Sequence, residues 1–154
     1  MAKGSASVHI ERPGDEVFAY VAEAEHNPAW HPYVLETAWL DDGPMRVGRR
    51  ARQTSRILGI RYSIVAEILV WEPPRHVVWG TVAGGATVRT DCRVAAEGDG
   101  CRLTMAAEGE FAQPLLRLLS PISVRVLRRQ ARQDLRRLAG VLGGPGDAGP
   151  PVDA

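Results

Sequence analysis

A chain of 154 residues, 45% hydrophobic and 24% charged, has the size and mix of one soluble globular domain that buries about two-thirds of its unfolded surface. Nineteen basic against eighteen acidic side chains leave a net charge of +1, which excludes a bulk-charge case for nucleic acid binding. Two cysteines are too few for a disulfide scaffold, and no run approaches ~20 apolar residues, so no stable membrane insertion is expected.

Residues 1–6 contain no apolar leader core, so the expected compartment is the cytoplasm. Lys3 is the sole lysine among the basic residues. With Ala, Gly and Pro also frequent, the arginines read as the codon bias of a GC-rich bacterial genome rather than as function. Ser7–Arg12 alternates as a strand does. Pro13, followed by Asp15 and Glu16, marks a helix start, and Val17, Phe18, Tyr20 and Val21 supply its apolar face. The segment 26–32 (HNPAWHP) is bracketed by prolines and holds at most one more helical turn.

From Val34 to Gln113 the pattern becomes strands. Turn signals at Asp42-Gly43-Pro44, Gly59, Pro73-Pro74, Gly84-Gly85 and Asp99-Gly100 divide it into six, joined mostly by short loops as in an antiparallel meander. Pro114 opens a long helical pattern with an apolar stripe of Val124, Leu127, Ala131, Leu135, Leu138 and Leu142. Pro121 inside it is expected to kink or restart the helix. The domain spans 1–142, and 143–154 (GGPGDAGPPVDA) reads as a disordered tail.

The hairpin registers check one another. A loop at Asp99-Gly100 sets Val88, Thr90, Cys92 and Val94 opposite Phe111, Gly109, Ala107 and Met105, with Arg89 opposite Glu110 on a charged reverse face. A loop at Leu58-Gly59 sets Ala51, Gln53 and Ser55 opposite Ala66, Ile64 and Tyr62, and sends Arg50, Arg52, Arg56 and Arg61 outward. The loop at 72–75 then turns Val77, Trp79 and Thr81 inward. Many of these inward residues are small or polar: Ala51, Ser55, Ala66, Thr81, Thr90, Cys92, Ala107 and Gly109. They cannot fill the gap of about 10 Å between a sheet and one helix at crystal-like density. A cavity is expected, in preference to a core closed by Trp30, Trp79 and Met105.

The element order resembles the helix-grip fold of the START-like (SRPBCC) superfamily, an α+β architecture in which a curved seven-stranded antiparallel sheet holds a long C-terminal helix. The resemblance to its polyketide cyclase/dehydrase-like branch rests on Arg12-Pro13-x-x-Glu16-Val17-Phe18, Asn27-Pro28-x-Trp30-x-Pro32, Gly43-Pro44 with Val47-Gly48, Trp71-Glu72-Pro73-Pro74-Arg75 and Asp134-Leu135-x-x-Leu138. It covers roughly Ser7 to Leu142. Gly100-Cys101 departs from the Gly-Thr of many relatives. The resemblance implies a cavity for a hydrophobic or amphipathic small molecule. It implies no cofactor and carries over no catalytic residue.

The expected cavity wall comprises Trp30, His31, Arg49, Gln53, Ser55, Tyr62, Trp79, Thr90, Met105, Ile122 and Val126. Trp30 and Tyr62 supply aromatic surface; Gln53, Ser55 and Thr90 orient polar ligand groups. His26 and His31 beside Trp30 could act as hydrogen-bonding or acid–base groups, but the simpler reading is two partly exposed turn histidines. Arg49 has the parity of an inward clamp for a carboxylate or phenolate; an arginine reaching past the sheet edge is the simpler reading. No HExxH occurs, and His9 and His76 stand on distant strands, so no metal site is expected. Glu108 and Glu110 belong to the charged outer face, and Cys92 and Cys101 are too far apart to bond. Arg125, Arg128, Arg129, Arg132, Arg136 and Arg137 face only Asp134 along the last helix and read as a solvent face, not a nucleic acid surface.

The function expected is binding of a hydrophobic, lipid- or polyketide-like molecule between sheet and helix. The alternative is a polyketide aromatase/cyclase acting in the same cavity, with His31 or Arg49 polarising a carbonyl. An ionisable residue deep in the cavity distinguishes the two, and the inward residues include none apart from Arg49.

Overall fold

The computed structural model describes residues 2–57, 59–111 and 120–143, with side chains described except at 2, 57, 111, 120–128 and 143. The expected tail is outside this range apart from Gly143, as are Pro114 and the rest of 112–119. Strand β1 (Ala2–Ile10) leads into helix α1 (Gly14–Ala22), a 3₁₀ turn (Ala24–His26) and the single turn of α2 (Asn27–Trp30). Six strands follow: β2 (Val34–Trp39), β3 (Arg50–Ile57), β4 (Ile60–Glu72), β5 (His76–Gly84), β6 (Ala86–Glu97) and β7 (Gly100–Phe111). Helix α3 (Ser120–Gly143) is the last described element, with Pro121 in its first described turn.

All seven strands form one antiparallel sheet in the order β1-β7-β6-β5-β4-β3-β2. The α+β helix-grip architecture read from the sequence is the fold. Strand β1 starts at Ala2 rather than Ser7, because β7 runs on to offer it partners as far as Gly109. The β3–β4 register is the expected one, from Ile57 opposite Ile60 to Ala51 opposite Ala66. The β6–β7 hairpin closes one residue early, on Gly98-Asp99, with Glu97 opposite Gly100. Gly98 takes φ +59°, the left-handed conformation that a two-residue hairpin turn asks of its first central residue. Thr90 therefore faces Ala107, Cys92 faces Met105, and Glu108 rather than Glu110 meets Arg89. A two-residue slip leaves every side chain on its expected face.

Three irregularities break the ladders: one between Val34 and Glu36, one between Ile68 and Val70, and one between Thr81 and Ala83. Each leaves one unpaired residue, Leu35, Leu69 or Val82, and all three are exposed apolar side chains. Such bulges bend and twist a strand locally.

The core fills only part of the concave face. Ala131, Leu135 and Leu138 of α3 are buried in one cluster with Val8, Ile10, Val17, Phe18, Val21 and Leu103. Burial of each large side chain there contributes about 1.5–3 kcal/mol. Arg129, Arg132, Arg136 and Arg137 are exposed, as a solvent face requires. No described helix is long and apolar enough to cross a membrane.

A candidate ligand cavity

Beside this core, under the middle of the sheet, the inward side chains are Ala51, Ala66, Thr81, Thr90 and Ala107. They bound a cavity of about 120 Å³. Of the expected wall residues, Trp30, His31, Gln53, Tyr62, Trp79, Thr90 and Met105 line it. Ile122 and Val126 fall among the residues whose side chains are outside the described set.

The sheet supplies one polar cluster. Asn27 Nδ2 donates to Gln53 Oε1 (3.2 Å), and Gln53 Nε2 donates to Ser55 Oγ (3.4 Å). Ser55 is fully buried and sits behind the cavity surface, opposite Tyr62 in the ladder. Burial pushes the Tyr62 phenol above its ordinary pKa, and a hydrogen bond with Ser55 draws it part of the way back. Thr81 turns its hydroxyl to the backbone of Val88, donating to the carbonyl (3.2 Å) and accepting from the N–H (3.0 Å).

The helix side supplies a second. His31 follows the last residue of α2 and is 8% exposed, so it is a buried residue and not the half-exposed turn histidine expected. Its Nδ1 lies 2.7 Å from Oδ2 of Asp134, which projects from α3 and is 1% exposed. The Tyr33 hydroxyl lies 3.2 Å from the same nitrogen. Burial first, and then the Asp134 charge, push the Tyr33 phenol well above its ordinary range, so it keeps its proton. The Trp30 ring lies against the imidazole with centroids 3.6 Å apart. Among the described residues, three sealed polar atoms lack a partner: Trp30 Nε1, Thr37 Oγ1 and Asp134 Oδ1. Trp30 and Thr37 both belong to the cavity wall.

Arg49 is absent from the wall. It is 8% exposed, and its guanidinium is engaged by Asp41 Oδ1 and the Asp41 carbonyl, both at 3.1 Å, and by Met45 Sδ. It also stacks on Trp39, 3.8 Å from the ring centroid. Trp39 in turn packs on Trp79 at 5.5 Å, so Arg49 bears on the cavity only through two indoles. Glu108 reaches Lys3 on the outer face (3.6 Å). Cys92 and Cys101 are buried free thiols; Cys92 lines the cavity, and burial pushes its thiol up to about 12, which keeps it from acting as a nucleophile. Among the described residues no group of three or more His, Cys, Asp or Glu gathers to hold a metal ion.

Asp134 and Tyr33 were not among the expected site residues. The signal for Asp134 lies in its spacing, three residues after Ala131 and four before Leu138, which sets a carboxylate inside the apolar stripe. The cavity wall therefore does hold ionisable side chains, His31 and Tyr33 among them, and Arg49 is not one of them.

The family model described as "Polyketide cyclase / dehydrase and lipid transport" matches residues 1–143. No curated protein matches by sequence. Among solved structures, the chain is similar to TTHA0849 of Thermus thermophilus, with TM-score 0.76, 16% identity and coverage of 89% of this chain and 94% of that one. DR_A0006 of Deinococcus radiodurans gives 0.69, 17%, 90% and 95%. A START superfamily protein of Mycobacterium smegmatis gives 0.65, 15%, 84% and 94%. At these identities the likeness is one of fold.

Proposed function

Because the chain belongs to the polyketide cyclase / dehydrase and lipid transport family, we propose that it binds a hydrophobic or amphipathic small molecule in the cavity between sheet and helices. The observation that carries this reading is the partly filled concave face. Apolar surface from Ile64, Tyr62, Trp79 and Met105 surrounds the space, and polar groups stand at two separate places on its wall. A ligand covering such surface gains roughly 25 cal/mol for each Å² of apolar area it removes from water, while the polar groups fix its orientation. Site residues under this reading are Trp30, His31, Gln53, Tyr62, Trp79, Thr90 and Met105, with Ser55 and Arg49 supporting them from behind.

The test is mass spectrometry of the natively purified protein, followed by titration with an apolar fluorescent probe. A co-purifying small molecule, or saturable uptake of one probe per chain, is the expected result. Absence of both rejects the reading.

A cyclase acting in the same cavity is the second reading, and the pairing of His31 with Asp134 is the observation that favours it. An imidazole oriented by a carboxylate is the arrangement a general base needs beside an acidic C–H between two carbonyls. Ring closure of a poly-β-ketone model compound by the parent protein, abolished in His31→Gln, supports this reading; ligand uptake without turnover leaves binding alone.

A further inference from the structure

His31 and Asp134 meet at the cavity wall with their one shared proton in a definable place. An ionised carboxylate accepts hydrogen bonds and donates none. At 2.7 Å from Asp134 Oδ2, the facing His31 Nδ1 therefore carries the proton and donates it. Tyr33, 3.2 Å away, cannot donate to a nitrogen that already holds a proton, so its oxygen can only accept from that N–H. The Trp30 ring, tilted 35° against the imidazole at 3.6 Å, packs on its face.

A ring that carries only that one proton has its lone pair on Nε2. That atom has no hydrogen-bond partner among the described residues, yet it is not one of the sealed polar atoms. The space that His31 borders is the cavity. An acceptor in so apolar a place is satisfied by a donor and by nothing else in the ligand's repertoire. A ketone, ether or ester offers it only further lone pairs. A carboxylate offers a negative charge, with the Asp134 charge close behind.

We infer that the cavity selects ligands bearing a neutral phenol- or enol-type hydroxyl on an apolar ring system, which donates to His31 Nε2, and that it discriminates against carboxylates. The inference rests on the binding reading above and names the ligand class of that same site.

Three probes of one shape test it at pH 7 on the full chain: naphthalene, 2-naphthol and 2-naphthoate, titrated by fluorescence or calorimetry. The expected order is 2-naphthol tighter than naphthalene by about tenfold, the worth of one hydrogen bond, with 2-naphthoate weakest. The double variant His31→Phe/Asp134→Leu removes both partners together and should bind naphthalene and 2-naphthol equally. Equal binding of those two by the parent overturns the inference and leaves the binding reading standing. Tightest binding of 2-naphthoate overturns it as well, because it means that His31 is cationic and donates from Nε2. No binding of any of the three rejects the inference together with the reading beneath it. The parent ranking needs no variant, so a double variant that fails to fold leaves the test intact.

Discussion

Asp134 Oδ2 and His31 Nδ1 are 2.7 Å apart across 103 residues of chain, and their bond ties the long helix to the turn that follows α2. It is a buried polar link between the long helix and the short helical segment near the start. The cavity lies against it.

Removing one partner strands the other. Asp134→Ala takes the carboxylate acceptor from the buried His31 N–H, leaving it only the longer contact to Tyr33, and should cost about 1–3 kcal/mol in urea denaturation. His31→Phe/Asp134→Leu replaces both groups with apolar ones and should cost less than the sum of the two single changes. Additivity within about 0.5 kcal/mol would show that the pair is not coupled.

Thr90 tests whether the space beneath the sheet accepts more atoms. It faces Ala107 and Trp79 in the ladders, lines the cavity, and makes no hydrogen bond through its hydroxyl among the described residues. In a filled core Thr90→Phe would overpack and cost about 1–3 kcal/mol or more. Here the ring should enter open space, leave the urea midpoint unchanged or raised, and block uptake of an apolar probe. A strongly destabilised variant, with no uptake by the parent either, would reject the cavity as a binding site.

Alkaline pH should weaken the fold. The Cys92 thiol keeps its proton in the folded state up to about 12, whereas in the unfolded chain it loses it near the ordinary value of 9.0. Between those values the unfolded state binds fewer protons, so stability falls as pH rises, by about 1.4 kcal/mol per pH unit for this one group. Cys101, Tyr33 and Tyr62 are also raised and act in the same direction. Urea midpoints measured from pH 8.5 to 10.5 should decline, and Cys92→Ala should flatten the decline. The native protein should also resist thiol reagents that label the unfolded chain. An unchanged slope in Cys92→Ala would remove this thiol as the cause.

On the convex face, Arg56 stands directly opposite Arg61, and both are exposed. Like charges in register oppose each other across a sheet. Arg61→Glu should stabilise by about 0.5 kcal/mol at low salt, and the gain should shrink in 1 M salt, where the screening length falls to about 3 Å. A gain that persists at high salt would point to packing rather than charge.

Strand faces are legible in the sequence because the side-chain period is two. A β6–β7 loop read one residue late still turns Thr90, Cys92 and Met105 inward, since the error moves each pair by an even count. His31 and Asp134 are harder to read. Each looks ordinary in its own segment, a turn histidine and the one acid among helix arginines, and their partnership is a long-range contact that no local pattern carries. Arg49 likewise has the parity of an inward clamp, but its fate depends on Asp41, which the irregular loop after β2 brings to its guanidinium.

The three unpaired residues Leu35, Leu69 and Val82 make their strands unusually tolerant at three points. Anywhere else in a paired strand, deleting one residue turns every later side chain to the opposite face, sending the cavity wall to solvent. At a bulge the deletion merely restores the regular ladder: without Leu69, Ile68 still pairs with Trp79 and Val70 with Val78, and both pairs keep their faces. What is lost is curvature. Length differences among homologous chains should therefore collect at these positions, and such changes would alter how tightly the sheet wraps its contents without altering which residues touch them.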